Sequence, residues 1–332
     1  MQGMENAVAQ RLPIAIVQQP PVFLNLSASV ALAKAIITEA ARGGAKLVAF
    51  SETWLPGYPV WLDDAPGAAL WGNPAAEALF AHLFAHSPTI NGPEMTELAA
   101  QAHEAGIDVV IGLHERAGNT LYNTMALLGA DGMRGLHRKL VPTHSERLIW
   151  GQGDGSTLSA WQRPYGMLGG LICWEHWMPL ARAAMHAQHE TVHVAQWPAV
   201  HERHQLASRT YAFEGQCFVI AAGGVLTRDD VIDGFDSAGG DRLARGLLES
   251  IPNDKAFLKD GGSAVIAPDA SYVLAPVALG RDLLFVEIDL ALCDHGKLYL
   301  DTHGHYSRPD VFELHVNTRS NPGVRFSDAP DQ

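Results

Sequence analysis

Three residues of different chemistry each stand at the end of a segment that reads as a strand. Cys173 ends Gly169-Gly170-Leu171-Ile172-Cys173, Glu52 follows Lys46-Leu47-Val48-Ala49-Phe50-Ser51, and Lys139 follows Leu136-His137-Arg138. Short apolar runs that stop at a polar residue read as buried strands, and α/β folds place their ligand crevices at strand ends. A thiol, a carboxylate and an ammonium brought to one crevice can perform nucleophilic catalysis. The carboxylate takes the thiol proton, the sulfur attacks an electrophilic carbon, and the cation stabilises the charge that develops.

Each residue also has a plainer reading. A free cysteine packs as a small hydrophobe, and Cys217 and Cys293, in apolar contexts, read as structural. Cys173 differs because the bulky, polar-tipped Trp174-Glu175-His176 follows it. Glu52 could be a solvated loop charge, but it precedes Thr53-Trp54-Leu55-Pro56-Gly57-Tyr58-Pro59. A rigid apolar loop of that kind desolvates a carboxylate and raises its pKa toward that of a usable base. Lys139 is followed by Leu140-Val141-Pro142, and a lysine between apolar residues is usually committed to a partner. Glu146 and Arg147, just beyond, read equally well as a local ion pair or as further site residues.

Other chemistries find less support. His201-Glu202-Arg203-His204 lacks the i, i+4 histidine spacing of a zinc helix, so no metal site is expected. Cys173 and His176 stand too close in the chain for a papain-like thiol–imidazole pair. Gly151-Gln152-Gly153-Asp154-Gly155 is not a dinucleotide fingerprint, since its third glycine is misplaced.

The whole chain narrows the class further. Its 332 residues carry 36 acidic against 23 basic side chains, a net charge of −13, so there is no basic footprint for nucleic acid or an anionic membrane. Apolar residues make up 47%, enough for a large core, and no apolar run is long enough to span a bilayer. Three scattered cysteines argue against a disulfide framework and for a reduced, cytoplasmic setting. Residues 1–13 lack the apolar core of a signal peptide.

The elements that must position the three residues follow from periodicity. Strands are expected at 12–18, 46–51, 108–112, 165–173, 191–196 and 217–225, and helices at 27–41, 93–105, 179–188 and 207–215. Residues 120–129 and 132–140 read as paired strands turned by Ala130-Asp131. Residues 227–259 are polar and acidic and read as a long excursion. Strands at 262–267 and 283–290 flank the turn signal Pro268-Asp269-Ala270. A single domain over 10–312 is expected, with 313–332 an extended or disordered tail. Alternating strands and helices mixed with paired strands suit an α/β (α+β) arrangement in which two mixed sheets stack their inner faces.

Together these segments resemble the nitrilase superfamily of carbon–nitrogen hydrolases, and its true nitrilase branch in particular. The likeness is carried, in order, by Ser51-Glu52-Thr53-Trp54-Leu55-Pro56-Gly57-Tyr58-Pro59, by Thr120-Leu121-Tyr122-Asn123-Thr124, and by His137-Arg138-Lys139-Leu140-Val141-Pro142-Thr143-His144-Ser145-Glu146-Arg147. Cys173-Trp174-Glu175-His176 and Gly304-His305-Tyr306-Ser307-Arg308-Pro309-Asp310 complete it. The departures are Ser51, where proline is common, and His176, where asparagine often stands. The resemblance implies a four-layer αββα sandwich of two mixed sheets, with Glu52 as general base, Lys139 as cation, Cys173 as nucleophile and Glu146 positioning substrate and Lys139. It implies hydrolysis of an organic nitrile to the acid and ammonia without cofactor or metal. It further implies a homodimer able to extend into spirals through the tail after Arg308. Tyr58, Trp174, His176 and Trp197, with Trp54 and Trp177, are expected to wall the acyl pocket. An amidase, an N-carbamoyl hydrolase or a cyanide-hydrating enzyme on the same scaffold remains open, as does a catalytically idle binding protein.

Overall fold

A computed structural model of the chain describes residues 11–129, 131–322 and 324. The expected turn residue Ala130, most of residues 1–13 and most of the tail beyond 322 lie outside that range. Strand β1 (Arg11–Val17), helix α1 (Leu26–Arg42) and strand β2 (Leu47–Ala49) open the fold, followed by α2 (Trp61–Asp64), α3 (Pro74–Ala85) and α4 (Pro93–Ala105). Strands β3 (Asp108–Ala117), β4 (Thr120–Gly129) and β5 (Gly132–Arg138) form a meander. Next come β6 (Trp161–Arg163), β7 (Gly166–Ile172), α5 (Pro179–His186), β8 (Glu190–Trp197), α6 (Glu202–Gly215), β9 (Phe218–Gly223) and β10 (Val225–Leu226). Helices α7 (Arg228–Ser237) and α8 (Arg242–Glu249), strands β11 (Lys259–Ile266), β12 (Tyr272–Ala278) and β13 (Leu283–Asp289), and α9 (Ala291–Gly296) complete it.

Two mixed sheets result. One has the order β13-β1-β2-β3-β4-β5; the other runs β10-β11-β9-β8-β7-β6, with β12 on β11. The strands' two-residue period separates their faces. Ile14 and Ile16 of β1, Leu47 and Ala49 of β2, Val110 of β3 and Leu127 of β4 share one core with Leu168, Val192, Val194 and Ile220 of the second sheet. The alternate residues Ala15, Val17, Val48, Val109 and Ile111 pack instead with Val30 and Ile37 of α1 and Leu98 of α4. On the far side, Met185 of α5 and Ala207, Tyr211 and Ala212 of α6 cover the second sheet. The layers are therefore helix, sheet, sheet, helix. Each aliphatic side chain fully buried in these layers contributes roughly 1.5–3 kcal/mol over its exposed state.

The structure departs from the sequence-based expectations in three places. Residues 227–259 are no loose excursion, for they hold α7 and α8. Thr227 caps α7 through the Asp230 N–H while Asp230 returns to the Thr227 N–H at 2.8 Å, and Asp241 caps α8. Leu247 and Leu248 of α8 and Phe235 of α7 pack with Leu79 and Leu83 of α3, a helix the sequence reading passed over. The strand at 283–290 is not the neighbour of 262–267. It runs antiparallel to β1 in the first sheet, and β12 pairs with β11.

Candidate active site

Glu52, Lys139 and Cys173 lie just past the ends of β2, β5 and β7, so the two sheets deliver them to one end of their shared core. The segment after β2 is fixed from both sheets. Phe50 N–H donates to Val110 at 2.8 Å, Gln196 donates to the Phe50 carbonyl at 2.9 Å, and Glu52 N–H reaches the Trp197 carbonyl at 3.4 Å. Gly112 of β3 makes room for this passage, because a Cβ there would overlap the backbone of Ser51 and Thr53. Lys139 continues the β5 ladder, its N–H donating to the Asn123 carbonyl at 2.8 Å.

The Lys139 ammonium is fully buried and bridges two carboxylates. It donates to Glu52 Oε1 at 2.8 Å and to Glu146 Oε2 at 2.7 Å. Glu146 lies in a 3-10 turn (His144–Leu148), where its Oε2 also accepts from Thr143 N–H at 2.7 Å and its Oε1 from the Tyr58 hydroxyl at 3.0 Å. Glu146 is thus held by Lys139, Thr143 and Tyr58. Asn123 Nδ2 donates to Glu52 Oε1 at 2.7 Å. Glu52 Oε2 has no hydrogen-bond partner among the described residues, so one carboxylate oxygen is held and the other is available.

Cys173 opens a second 3-10 turn (Cys173–Trp177) with φ at 54°, a left-handed conformation that non-glycine residues hold only when their surroundings impose it. Glu175 supplies much of that constraint. Its Oε2 accepts from Ile172 N–H at 2.7 Å, its Oε1 from Leu140 N–H at 2.7 Å, and His137 Nε2 lies 3.0 Å from the carboxylate. One side chain therefore ties the end of β7 to the strand that carries Lys139. Sequence reasoning noted Glu175 only as part of a motif and took Asn123 for sheet core. A glutamate and an asparagine inside otherwise apolar strand ends were the available signals.

The nearest donor atoms of Glu52, Glu146 and Cys173 lie within 4.8 Å of one another. A metal ion could use such spacing, but the Lys139 ammonium already stands between both carboxylates. Burial pushes the Glu52 carboxyl up to about 7, with Lys139 and Asn123 opposing and Glu146 assisting. Burial and Glu52 hold the Cys173 thiol well above its ordinary range, against the pull of Lys139 and the Trp174 N–H. Burial alone would lower Lys139; Glu52, Cys173 and Glu146 outweigh it and keep the ammonium charged. The resting pair is thus a thiol beside a carboxyl that titrates near neutrality, the match a general base needs.

The expected pocket side chains divide. Tyr58 lines a recess beside Glu52 together with Gln19, Trp54, Pro198, Val225 and Lys259, a lysine that sequence reading did not single out. Trp174, His176 and Trp197 are not among its walls. Trp197 is buried on the helix-facing side of β8, its ring stacked on His176 at 4.8 Å and on His204 at 4.6 Å. Trp174 is exposed and stands edge-on to Trp177. His176 points away from the recess, bonded to the Cys173 carbonyl and to His193.

The carbon-nitrogen hydrolase family matches residues 13–297. The chain is 37% identical to a "Nitrilase 2" from an unknown prokaryotic organism, over 95% of each chain. It is 37% identical to a nitrilase of Pseudomonas syringae, over 96% of this chain and 93% of that one. It is 36% identical to an aliphatic nitrilase of Rhodococcus rhodochrous, over 92% and 82%. Among solved structures the fold resembles the NitFhit protein of C. elegans (TM-score 0.67, 19% identity, 96% of this chain and 71% of that one). It also resembles an amidase of Nesterenkonia AN1 from the nitrilase superfamily (TM-score 0.61, 15% identity, 90% and 98%). On the match over most of its length, the chain belongs to the carbon–nitrogen hydrolase family, the nitrilase superfamily.

Proposed function

We propose that the enzyme hydrolyses an organic nitrile to the carboxylic acid and ammonia through covalent intermediates on Cys173. Glu52 Oε2 takes the thiol proton as the sulfur bonds to the nitrile carbon, and the nitrile nitrogen receives a proton to give a thioimidate. Lys139 and the Trp174 N–H stabilise the charge developing on nitrogen, a role worth roughly 3–4 kcal/mol per well-aimed donor. Water activated by Glu52 adds to the carbon and ammonia leaves, giving a thioester that a second water cleaves to acid and free thiol. Glu146 holds Lys139 in line. Tyr58, which lines the recess beside Glu52, shapes the acyl side. No step requires a cofactor or metal.

The observation that carries this reading is the division of Glu52: one oxygen is fixed by Lys139 and Asn123, and the other lacks a partner beside a buried thiol. Nitrile rather than amide as substrate rests on the relatives named above. Ammonia release across a panel of aliphatic, aromatic and arylacetic nitriles, with the matching amides in parallel, tests it. Acid and ammonia should appear in equal amounts from at least one nitrile. Turnover of amides alone would overturn the choice of substrate while leaving the Cys173 chemistry standing.

The three cysteines are unpaired and no described helix is long and apolar enough to cross a membrane, which supports a cytoplasmic setting. We place the protein in a homodimer, since α5 and α6 leave Leu180, Leu206 and Phe213 exposed; the residues after Arg308 are the candidates for extending it. Sedimentation of the full chain at two concentrations reads the assembly.

A further inference from the structure

Behind Cys173 runs a buried chain of polar side chains that the reaction steps above do not use. His176 Nδ1 lies 2.8 Å from the Cys173 carbonyl, and His176 Nε2 lies 3.0 Å from His193 Nε2. His193 Nδ1 lies 2.9 Å from Glu190 Oε1, and the Tyr211 hydroxyl donates to Glu190 Oε2. All four side chains are buried. Gly169 of β7 is what lets Glu190 fit, because a Cβ there would overlap its carboxyl.

The directions of these bonds are determined. A carbonyl only accepts, so His176 must carry its proton on Nδ1 and offer a lone pair at Nε2. His193 must then donate from Nε2. One proton is left between His193 Nδ1 and Glu190 Oε1. Burial lowers both imidazoles, His176 to about 3. It pushes the Glu190 carboxyl up to about 7, against the Tyr211 hydroxyl and His186. On the acidic side of neutrality that proton therefore rests on Glu190. Without it, His193 donates to the carboxylate from Nδ1 and turns a lone pair on the lone pair of His176. The clash is relieved only when His176 moves its proton to Nε2 and gives up the Cys173 carbonyl.

That carbonyl belongs to the same planar, trans peptide as the Trp174 N–H, and the two point in opposite directions. We propose that His176, His193 and Glu190 form a one-proton relay that clamps the Cys173–Trp174 peptide and so aims the Trp174 N–H at the reacting centre. They are positioning residues and touch no substrate. The other titratable and charged groups facing the relay are His186 and Arg182 of α5, Tyr211 and Glu214 of α6, Cys217 ahead of β9, and the Glu175–His137 pair. Arg182 is bonded to Glu214 at 2.7 Å and donates to the His176 carbonyl at 3.0 Å, which steadies the same turn.

The proposal rests on Cys173 as nucleophile, and its test has an arm that does not. Glu190→Gln replaces the carboxyl by an amide that donates to His193 and accepts from Tyr211 at every pH, whereas Glu190→Leu breaks the chain. The wild-type kcat should fall on the alkaline side of neutrality. Glu190→Gln should keep its acidic-side kcat and lose that alkaline fall, and Glu190→Leu should lose about tenfold or more in kcat with little change in KM. An alkaline limb unaltered in Glu190→Gln would overturn the relay. Independently of turnover, nitrogen NMR of the histidine side chains should find neutral His176 protonated at Nδ1 on the acidic side of neutrality. It should shift toward Nε2 as Glu190 ionises. An Nε2–H tautomer throughout would overturn the proposal even if no variant folds.

Discussion

At the scale of single residues, the site is a problem of charge placement. Lys139 carries a buried ammonium between two buried carboxylates, so removing it leaves like charges facing each other without water. Lys139→Ala should lower kcat by roughly 100-fold or more. It should also lower stability by about 3–5 kcal/mol, because an uncompensated buried charge remains. Turnover at saturation and a denaturation midpoint measure the two effects, and a merely twofold fall in kcat would reduce Lys139 to a structural role. Glu52 fixes the pH dependence. Burial pushes its carboxyl up to about 7, from the 4.5 of an ordinary glutamate. A base must be ionised, so kcat/KM should fall as pH drops through about 7, and a profile flat down to about pH 5 would exclude Glu52 as the base. The linked stability runs the other way: the contribution of Glu52 is full below 4.5 and lost as pH rises through about 7. Cys173 and Glu52 stood out in the sequence because each ends an apolar run, and Lys139 because the apolar Leu140-Val141-Pro142 follows it. Asn123, Glu190 and His193 did not, since their partners lie 71 residues, 21 residues and 17 residues away and meet them only through folding.

At the scale of elements, strand ends and the backbone between the sheets hold the geometry. Gly112 illustrates it: a methyl group there would press on the Ser51–Thr53 backbone and move Glu52. Gly112→Ala should cost about 1–3 kcal/mol from overpacking and about 100-fold in kcat, since a displacement near 1 Å is enough. Gly246, in α8 with open space around its Cβ position, is the control. Gly246→Ala should leave kcat unchanged and raise stability by about 0.5–1 kcal/mol. Thermal melts and kcat on both variants decide the matter, and equal behaviour would contradict the packing argument. The strands that bear the site were readable from their apolar runs. Helix α3 was not, because Pro74–Ala85 is apolar on most sides and shows no polar stripe. Helices α7 and α8 were hidden by polar composition, although their caps Thr227, Asp230 and Asp241 stood in the sequence. The partner of β1 could not be read either, since sequence order sets β13 near β11 and only the folded sheet sets it beside β1.

At the scale of the molecule, the sandwich brings Glu52 and Lys139, the proposed base and cation, from one sheet to Cys173, the proposed nucleophile, from the other, with Glu175 fastening the two together. The layer architecture was visible as alternating and paired strands, and the family motifs lay in order along the chain. Which sheet each strand joins depended on tertiary contacts that periodicity does not encode. The central claim is that Cys173 becomes covalently acylated during nitrile turnover. Quenching the wild-type enzyme in mid-turnover and mapping its peptides by mass spectrometry tests it most directly. The acyl group of the substrate should be found as a thioester on the peptide bearing Cys173 and should be absent from Cys173→Ala, which should release no ammonia. An acyl group on Cys217 or Cys293, or ammonia release persisting in Cys173→Ala, would contradict it.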